Sequence, residues 1–485
     1  MRLLTSVVAG VALSTALAGC SRPTGAAAAA EAMGATGLNS IQFSGTGTSY
    51  SFGQAYTPGG AWPRFEVKTY VAAVDYQTPA MRLEVVRAQG EHPPKGGGGQ
   101  PYGRDQRTVQ VVSGTQAWSE GGAQPAPNPA AVNERLRQIW LTPHGVVKAA
   151  LAGGAPATGN VFTVKAGDRD VTVTLNDENL VARVEYLITN PVVGDVPVEV
   201  TYSDYAEFGD IRFPRRIVEK QDGFDTLDLT IGDVQPNAAV SLPVPANVAS
   251  APAPAPPTAA IEKVGDGLWS VNSAGTRSLA VEFADHIVML EGPTSDARSK
   301  AANEIVRTTV PSKPIRYVVN THAHYDHAGG LRQYVAEGIT VITHESNKAF
   351  FEQAWARPRT VEPDPAPASG PPAIETVADT RVLSDRTRTV ELYHLPNHQH
   401  HTGQLIAYLP KERILMYGDA YNPPAGDEIR TPDRGPEFAT QMVQTVQALK
   451  LTPDRIAPVH GRVVPYRNLL MAFDLDTTTP PAVNR

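Results

Sequence analysis

The pattern of hydrophobic and polar positions changes once along the chain. Between about residues 40 and 248 hydrophobic residues alternate with polar ones, as in "VTVTLNDENLVARVEYLI", where Val171, Val173 and Leu175 precede the turn residues "NDEN". Alternation with a period of two is typical of β-strands that bury one face. Helical spacing interrupts it at about 132–140. We therefore predict a mostly antiparallel β domain over residues 40–248, with a role that the sequence does not indicate.

A segment rich in proline and alanine separates this part of the chain from the next. The stretch "SLPVPANVASAPAPAPPTAA" ends at residue 260, and its composition predicts an extended linker over residues 249–260. Beyond it, apolar strands alternate with stretches of helical spacing such as "SDARSKAANEIVRTTV". This alternation predicts an α/β domain over residues 261–485. Two domains also agree with the length of 485 residues, which exceeds one ordinary core.

Charge and hydropathy narrow the class of partner. The formal net charge is -7, whereas a nucleic-acid surface usually needs a basic patch, so we expect a small-molecule substrate and no nucleic acid. After residue 20 no stretch reaches the eighteen or so uncharged apolar residues of a spanning helix. The sequence therefore predicts no membrane-spanning helix.

The first twenty residues form a separate unit. Arg2 precedes an apolar run from Leu3 to Leu17, and "LAGC" ends at Cys20, the only cysteine of the chain. This order resembles the lipobox of bacterial lipoproteins, although an ordinary signal peptide that contains a cysteine would look similar. The resemblance implies a signal peptide over residues 1–19 and a lipidated Cys20.

A lipidated Cys20 would anchor the protein to a membrane of the bacterial cell envelope, facing the periplasm or the exterior. The alanine- and glycine-rich residues 20–39 then predict a flexible tether between the lipid and the first domain. With a single cysteine, the chain is expected to form no internal disulfide.

Four residues of ligand type lie within the stretch "VVNTHAHYDHAGG". They are His322, His324, Asp326 and His327, and they follow an apolar run from residue 315 to 319 that predicts a buried strand. Crowded imidazoles repel one another when protonated, but a divalent metal binds neutral imidazole and ionised carboxylate. The alternative is that these four residues have separate structural roles and bind no metal. The pattern favours a metal site on a loop after the strand.

Further candidate ligands follow other apolar runs. One run precedes a group of histidines, a second precedes an aspartate and a third precedes a histidine. These candidates are His394, His398, His400 and His401, then Asp419, then His460. In a layered α/β fold, functional residues usually gather where strands end, so we expect all of them at one sheet edge.

The order of these motifs resembles the metallo-β-lactamase superfamily. "HAHYDH" is followed by a histidine before "TG", then by "GDA" and "PVHG", and the resemblance covers residues 262–475. It implies an αββα sandwich with a dinuclear site at one edge and two zinc ions per chain. The predicted fold class is therefore α/β, with this sandwich preceded by the mostly antiparallel β domain.

The resemblance also implies a role for individual residues. Asp419 would bridge the two ions, and Asp326 would act in catalysis by orienting water and carrying a proton. The implied zinc ligands are His322, His324 and His400 for the first ion, and Asp326, His327 and His460 for the second. His400 is preferred to its neighbours because the family ligand lies three residues before a turn glycine, here Gly403. Glu291 stands where the family often has an aspartate, and its role is left open.

The implied activity is zinc-dependent hydrolysis of an ester, thioester, lactone or related bond. A β-lactamase is one alternative, but one branch of those enzymes uses a cysteine ligand, and the second domain has none. Another alternative is a metal-binding envelope lipoprotein that recognises a protein or lipid partner through its first domain. Because every candidate follows the linker, we expect residues 260–485 to be active alone.

Overall fold

A computed structural model describes residues 24–153, 159–363 and 371–475, except residues 425, 427 and 431. Cys20 and the predicted signal peptide lie outside these ranges, so the lipid anchor stays a prediction. Within the described ranges, no helix combines the length and the apolar character that crossing a bilayer requires.

The first part of the chain forms one antiparallel sheet of twelve strands. Their order across the sheet is β6-β5-β4-β3-β2-β1-β12-β11-β10-β9-β8-β7. In chain order they are β1 (Ser40–Tyr50), β2 (Arg64–Asp75), β3 (Ala80–Gln89), β4 (Gln106–Ser113), β5 (Gln116–Glu120), β6 (Ala126–Pro127), β7 (Val161–Ala166), β8 (Arg169–Leu175), β9 (Val181–Asn190), β10 (Gly194–Phe208), β11 (Ile211–Gln221) and β12 (Phe224–Pro236). Val171, Val173 and Leu175 are buried along β8, as the alternation predicts.

Four α-helices accompany this sheet. They are α1 (Gly25–Met33), α2 (Val132–Trp140), α3 (Pro143–Ala152) and α4 (Ala246–Ala249), and a 3₁₀ turn (Pro129–Ala131) precedes α2. The prediction of a flexible tether over residues 20–39 is wrong for its described part. Alanine has the highest helix propensity, so the alanine run folds as α1, and Ala29 and Met33 are buried in the core of the first domain.

The proline-rich segment begins against the first sheet and ends in the next one. Val248 of α4 packs against Val109, Val111 and Trp118. Residues 250–258 contain no helix or strand, and the following strand starts at Ala259.

Two sheets form the second part of the chain. The first has seven strands in chain order, antiparallel up to β16 and parallel from β16 to β19. They are β13 (Ala259–Gly265), β14 (Leu268–Ser273), β15 (Thr276–Glu282), β16 (Ile287–Leu290), β17 (Ile315–Val319), β18 (Thr340–His344) and β19 (Ile374–Val377). The second sheet has six strands, of which β23 and β24 are parallel. They are β20 (Thr380–Ser384), β21 (Thr389–His394), β22 (Leu405–Leu409), β23 (Ile414–Tyr417), β24 (Arg455–Pro458) and β25 (Val464–Pro465).

Helices cover the outer faces of both sheets. They are α5 (Asp296–Thr309), α6 (Tyr325–Ala328), α7 (Leu331–Ala336), α8 (Glu345–Trp355), α9 (Glu437–Ala448) and α10 (Tyr466–Ala472). Leu279, Val319 and Val390 pack in the core between the two sheets. One outer core holds Phe351 of α8, and the other holds Met442 of α9. The second part of the chain is therefore an αββα sandwich, which confirms the predicted fold class.

The ends of three strands place the candidate ligands. The "HAHYDH" motif follows β17, Asp419 follows β23 and His460 follows β24. The motif was predicted as a loop, but Asp326 and His327 lie on the single turn of α6. His324 is the N-cap residue of this short helix, and His322 precedes it.

Candidate metal centre

Seven predicted ligand residues lie together in two groups. Within each group, one donor atom from every residue lies within 4.8 Å of the others. The groups are His322, His324, His400 and Asp419, and Asp326, His327, Asp419 and His460. Asp419 belongs to both groups, which is the position that the resemblance implied for a bridging ligand.

In the first group, the donor atoms are spaced as ligands around one ion would be. His322 Nε2 lies 3.0 Å from His324 Nδ1 and 3.2 Å from His400 Nε2, and His400 Nε2 lies 2.8 Å from Asp419 Oδ2. Nitrogen ligands of tetrahedral zinc lie at about 2.0–2.1 Å from the ion, hence about 3.3 Å from one another. A ring nitrogen carries at most one hydrogen, so His322 Nε2 cannot satisfy both histidines by hydrogen bonding.

The second group has the same spacing. His327 Nε2 lies 3.2 Å from Asp419 Oδ2 and 3.1 Å from His460 Nε2. His460 Nε2 lies 3.3 Å from Asp326 Oδ2 and 3.2 Å from Asp419 Oδ1. Both donor sets, of imidazole nitrogens and carboxylate oxygens, therefore fit a divalent ion such as zinc.

Hydrogen bonds behind the rings orient two of the histidines. Ala55 O lies 3.0 Å from His324 Nε2, and because a carbonyl only accepts, that nitrogen carries the hydrogen and Nδ1 presents its lone pair. Thr321 Oγ1 lies 3.0 Å from His322 Nδ1, which leaves Nε2 facing the group. Such outer partners fix the tautomer and orientation of metal-binding histidines.

Glu291 lies behind the ring of His327 at ion-pair distance, without a hydrogen bond between them. Its side chain is fully buried, and Oε2 lies 3.3 Å from His327 Nδ1. The other oxygen, Oε1, accepts a hydrogen bond of 2.8 Å from the backbone N–H of Thr321. Glu291 is thus held between the strand that precedes the motif and the histidine that it faces, which answers the question that the sequence left open.

The histidines beside His400 have other partners. His398 Nε2 lies 3.1 Å from Phe438 O, and its Nδ1 accepts from the backbone N–H of His400 at 3.2 Å. His401 Nδ1 accepts from the backbone N–H of Gly403 at 2.9 Å. Both lie outside the two donor groups, so the geometry favours His400 as the ligand.

His394, also a candidate, lies outside both groups. Its Nε2 lies 2.9 Å from Thr402 O, and its ring stacks on that of His344 with centroids 3.9 Å apart. Both rings therefore have partners outside the donor groups.

The charges in the centre suit a cation. Burial lowers the pKa of His324 to about 3, so its imidazole is neutral at pH 7. Burial raises the pKa of Asp419, but His327 and hydrogen bonds to neighbouring histidines outweigh this effect and hold the pKa well below its usual value. Burial lowers the pKa of His460, but hydrogen bonds to Asp326 and Asp419 raise it to about 9. The carboxylates therefore favour positive charge at the centre, which a proton on His460 provides and which a bound metal would provide in its place.

A loop of the first domain closes the centre. Gln54 Nε2 donates a hydrogen bond of 2.7 Å to Asp326 Oδ1, and Gln54 Oε1 accepts from the backbone N–H of Gly98 at 2.9 Å. A Cβ atom at Gly97 would lie 2.8 Å from a ring carbon of His324. The glycine-rich run "KGGGGQ" at residues 95–100 thus brings its backbone against the centre, where a side chain at Gly97 would not fit.

The same region joins the two domains. The backbone N–H of Tyr325 donates to Gly53 O at 3.0 Å, and the Phe52 and Tyr325 rings meet edge to face with centroids 5.4 Å apart. Gln54 and Ala55 of the first domain contact two of the seven residues directly, and activity of residues 260–485 alone stays a prediction. No charge or motif marked Gln54 and Ala55, because their contacts use an amide and a backbone carbonyl.

A small cavity gives access to both groups. It measures about 180 Å³, and Asp326, His400, Asp419 and His460 lie in its wall. Gln54 of the first domain lies in the same wall. The donor atoms are therefore buried but reachable by a small molecule, as a reaction centre requires.

Residues 291–460 match the family model of the metallo-beta-lactamase superfamily. This match confirms the resemblance of the motifs to that superfamily. It begins at Glu291 and ends at His460, so it includes every residue of the two donor groups.

Two curated relatives match parts of the chain. One is the 2,4-dinitroanisole O-demethylase subunit alpha of Nocardioides sp. (strain JS1661), 23% identical over 34% of this chain and 46% of the relative. The other is a linear primary-alkylsulfatase of Pseudomonas sp., 34% identical over 16% of this chain and 11% of the relative. The chain thus spans less than half the length of either relative.

Solved structures of similar fold include two metallo-beta-lactamases. The one from Pontibacter korlensis is 18% identical, with a TM-score of 0.35, over 46% of this chain and 100% of its own. The one from Hirschia baltica is 18% identical, with a TM-score of 0.33, over 47% of this chain and 100% of its own.

The choice of His400 predicts different metal contents for two neighbouring variants. His400→Ala should lose metal from the first group, because it removes a donor atom, whereas His401→Ala should keep it. Elemental analysis of both purified variants after identical zinc loading measures this difference. Loss of zinc from His401→Ala with full retention in His400→Ala would show that His401 is the ligand.

The contact between the domains predicts an effect of Gln54 on metal affinity. Gln54→Leu keeps the size of the side chain but removes the hydrogen bond to Asp326, so the second ion should bind about 10–100-fold more weakly. Competition with a chromophoric chelator measures the affinity, with Gln77→Leu at an exposed position as the matched control. Equal affinities in Gln54→Leu and wild type would mean that the first domain does not support the centre.

Proposed function

We propose that the protein is a zinc-dependent hydrolase that binds two ions per chain and cleaves an ester, thioester or related bond of a small molecule. One observation carries the proposal. Two donor groups share Asp419 in the wall of a cavity large enough to admit the reacting part of a substrate.

Each ion would be held by its own set of residues, with one residue in common. His322, His324 and His400 would hold one ion, His327, His460 and Asp326 the other, and Asp419 both. Bound zinc supplies Lewis acidity, which polarises a carbonyl oxygen and lowers the pKa of water. Thr321 and Ala55 keep the histidine lone pairs aimed at the centre, so that little reorganisation is needed.

Asp326 is the residue best placed to move a proton. Gln54 occupies Oδ1, while Oδ2 faces the centre, and the side chain is 37% exposed to the cavity. Burial raises its pKa, but the charge of His327 and the hydrogen bond from His460 hold the pKa below its usual value. The carboxylate is therefore ionised at neutral pH, so that Oδ2 can accept a proton from attacking water and return it to the leaving group.

The names of the curated relatives support an oxygen-linked substrate. One name describes an O-demethylase and the other an alkylsulfatase, so each describes a reaction at an oxygen-linked group. Asp419 also occupies the shared position, and residues 261–485 contain no cysteine that could act as a ligand. Both points rank esters and thioesters above β-lactams.

This ranking predicts the outcome of a substrate panel. Zinc-loaded protein should hydrolyse aryl esters and acyl thioesters with a higher kcat/KM than penicillins or carbapenems. Activity should disappear with a chelator and return with zinc, which provides the control for metal dependence. Efficient turnover of β-lactams with inert esters and thioesters would reverse the assignment.

A further inference from the structure

The cavity at the metal centre adjoins a larger one between the two domains. The larger cavity measures about 450 Å³ and shares Gly98, Gly99, Asn422 and Arg434 with the smaller. Backbone hydrogen bonds join its walls, since Gly103 N–H donates to Asp433 O at 3.1 Å. A substrate with its reacting bond at the centre would therefore extend into the larger cavity.

Two arginines from different domains line this larger cavity. The guanidinium carbon of Arg87, on β3, lies 5.1 Å from the centroid of the Phe65 ring, which also stacks on Tyr102. Arg434 Nη1 donates a hydrogen bond of 2.7 Å to Asp419 O. Burial raises the pKa of Tyr102, whereas the charges of Arg87 and Arg434 lower it, so both guanidinium groups lie near that phenol.

Neither arginine is neutralised by a carboxylate among the described residues. Two neighbouring arginines, by contrast, have carboxylate partners. Arg107 forms an ion pair with Glu84 at 2.7 Å, and Arg104 forms one with Asp433 of the cavity wall. Two half-buried guanidinium groups that line one cavity, without an ion-pair partner among the described residues, form an attractive site for an oxyanion, which the planar fork binds through paired hydrogen bonds.

We propose that Arg87 and Arg434 bind an oxyanionic group of the substrate, a carboxylate or a sulfonate, while the bond to be cleaved lies at the metal centre. This inference rests on the proposed function and names its substrate class: esters or thioesters that carry a negative charge beyond the acyl carbon. Because Arg87 belongs to the first domain, that domain selects the substrate. Arg434 also donates a hydrogen bond to the backbone of Asp419, so its replacement could disturb the metal centre itself. Arg87 has no such contact and is the residue to test.

The experiment compares p-nitrophenyl valerate with two charged analogues of equal length, the glutarate monoester and its sulfonate counterpart. Zinc-loaded full-length wild type should prefer at least one charged ester by about tenfold or more in kcat/KM, since hydrogen bonds between charged groups are the strong ones. Arg87→Gln should lose most of this preference, Arg87→Lys should keep part of it, and Arg87→Glu should reverse it. Comparison of the two charged esters separates carboxylate from sulfonate recognition.

Arg107→Gln is the matched control, because it removes one positive charge from the adjacent strand outside the cavity. It should keep the wild-type preference. An equal loss in Arg107→Gln and Arg87→Gln, or a wild type without preference for either charged ester, would overturn the inference and leave the proposed hydrolase intact.

If no ester is hydrolysed, that result counts against the proposed function and leaves the anion site untouched. A binding measurement then tests the anion site separately. Calorimetry with glutarate, which has no bond to cleave, should show binding to zinc-loaded wild type and roughly tenfold weaker binding to Arg87→Gln. Equal binding to both proteins, or no binding to wild type, would overturn the anion site.

Discussion

Donor atoms from seven side chains converge at the edge of the sandwich, with ring nitrogens and carboxylate oxygens about 3 Å apart. Hydrogen bonds alone cannot satisfy them, because histidine nitrogens that face one another compete for a single hydrogen. Burial keeps the His324 imidazole neutral, and the Asp419 carboxylate stays ionised. A divalent cation would bind the facing lone pairs and balance the charge of the carboxylates. The surrounding structure holds the donor atoms in place for it.

The ligands are held from three directions. The ends of β17, β23 and β24 deliver six of them, the segment after β21 delivers His400, and Glu291 lies behind His327. The third direction is the first domain, where Gln54 and Ala55 contact Asp326 and His324. The antiparallel sheet is therefore more than a spacer, because its loops form one wall of the centre and of the cavity that leads to it.

The sandwich and the seven clustered residues could be predicted because their signals are local. Apolar runs mark β17 and β23, and ligand-type side chains follow them at short spacing. The contacts of Gln54 and Ala55 could not be predicted, because an amide and a backbone carbonyl carry no motif and lie about 270 residues from their partners. The tether prediction failed for a related reason, since an alanine run favours either a mobile segment or a helix, and only packing against the β domain selects α1.

The shared position of Asp419 offers the most direct test of the metal centre. Metal-free wild type and Asp419→Ala should be titrated with zinc by calorimetry, with elemental analysis of the loaded proteins. We expect two ions per wild-type chain and weaker binding of both ions in the variant, because Asp419 belongs to both donor groups. Binding of two ions to Asp419→Ala with wild-type affinity would contradict this expectation.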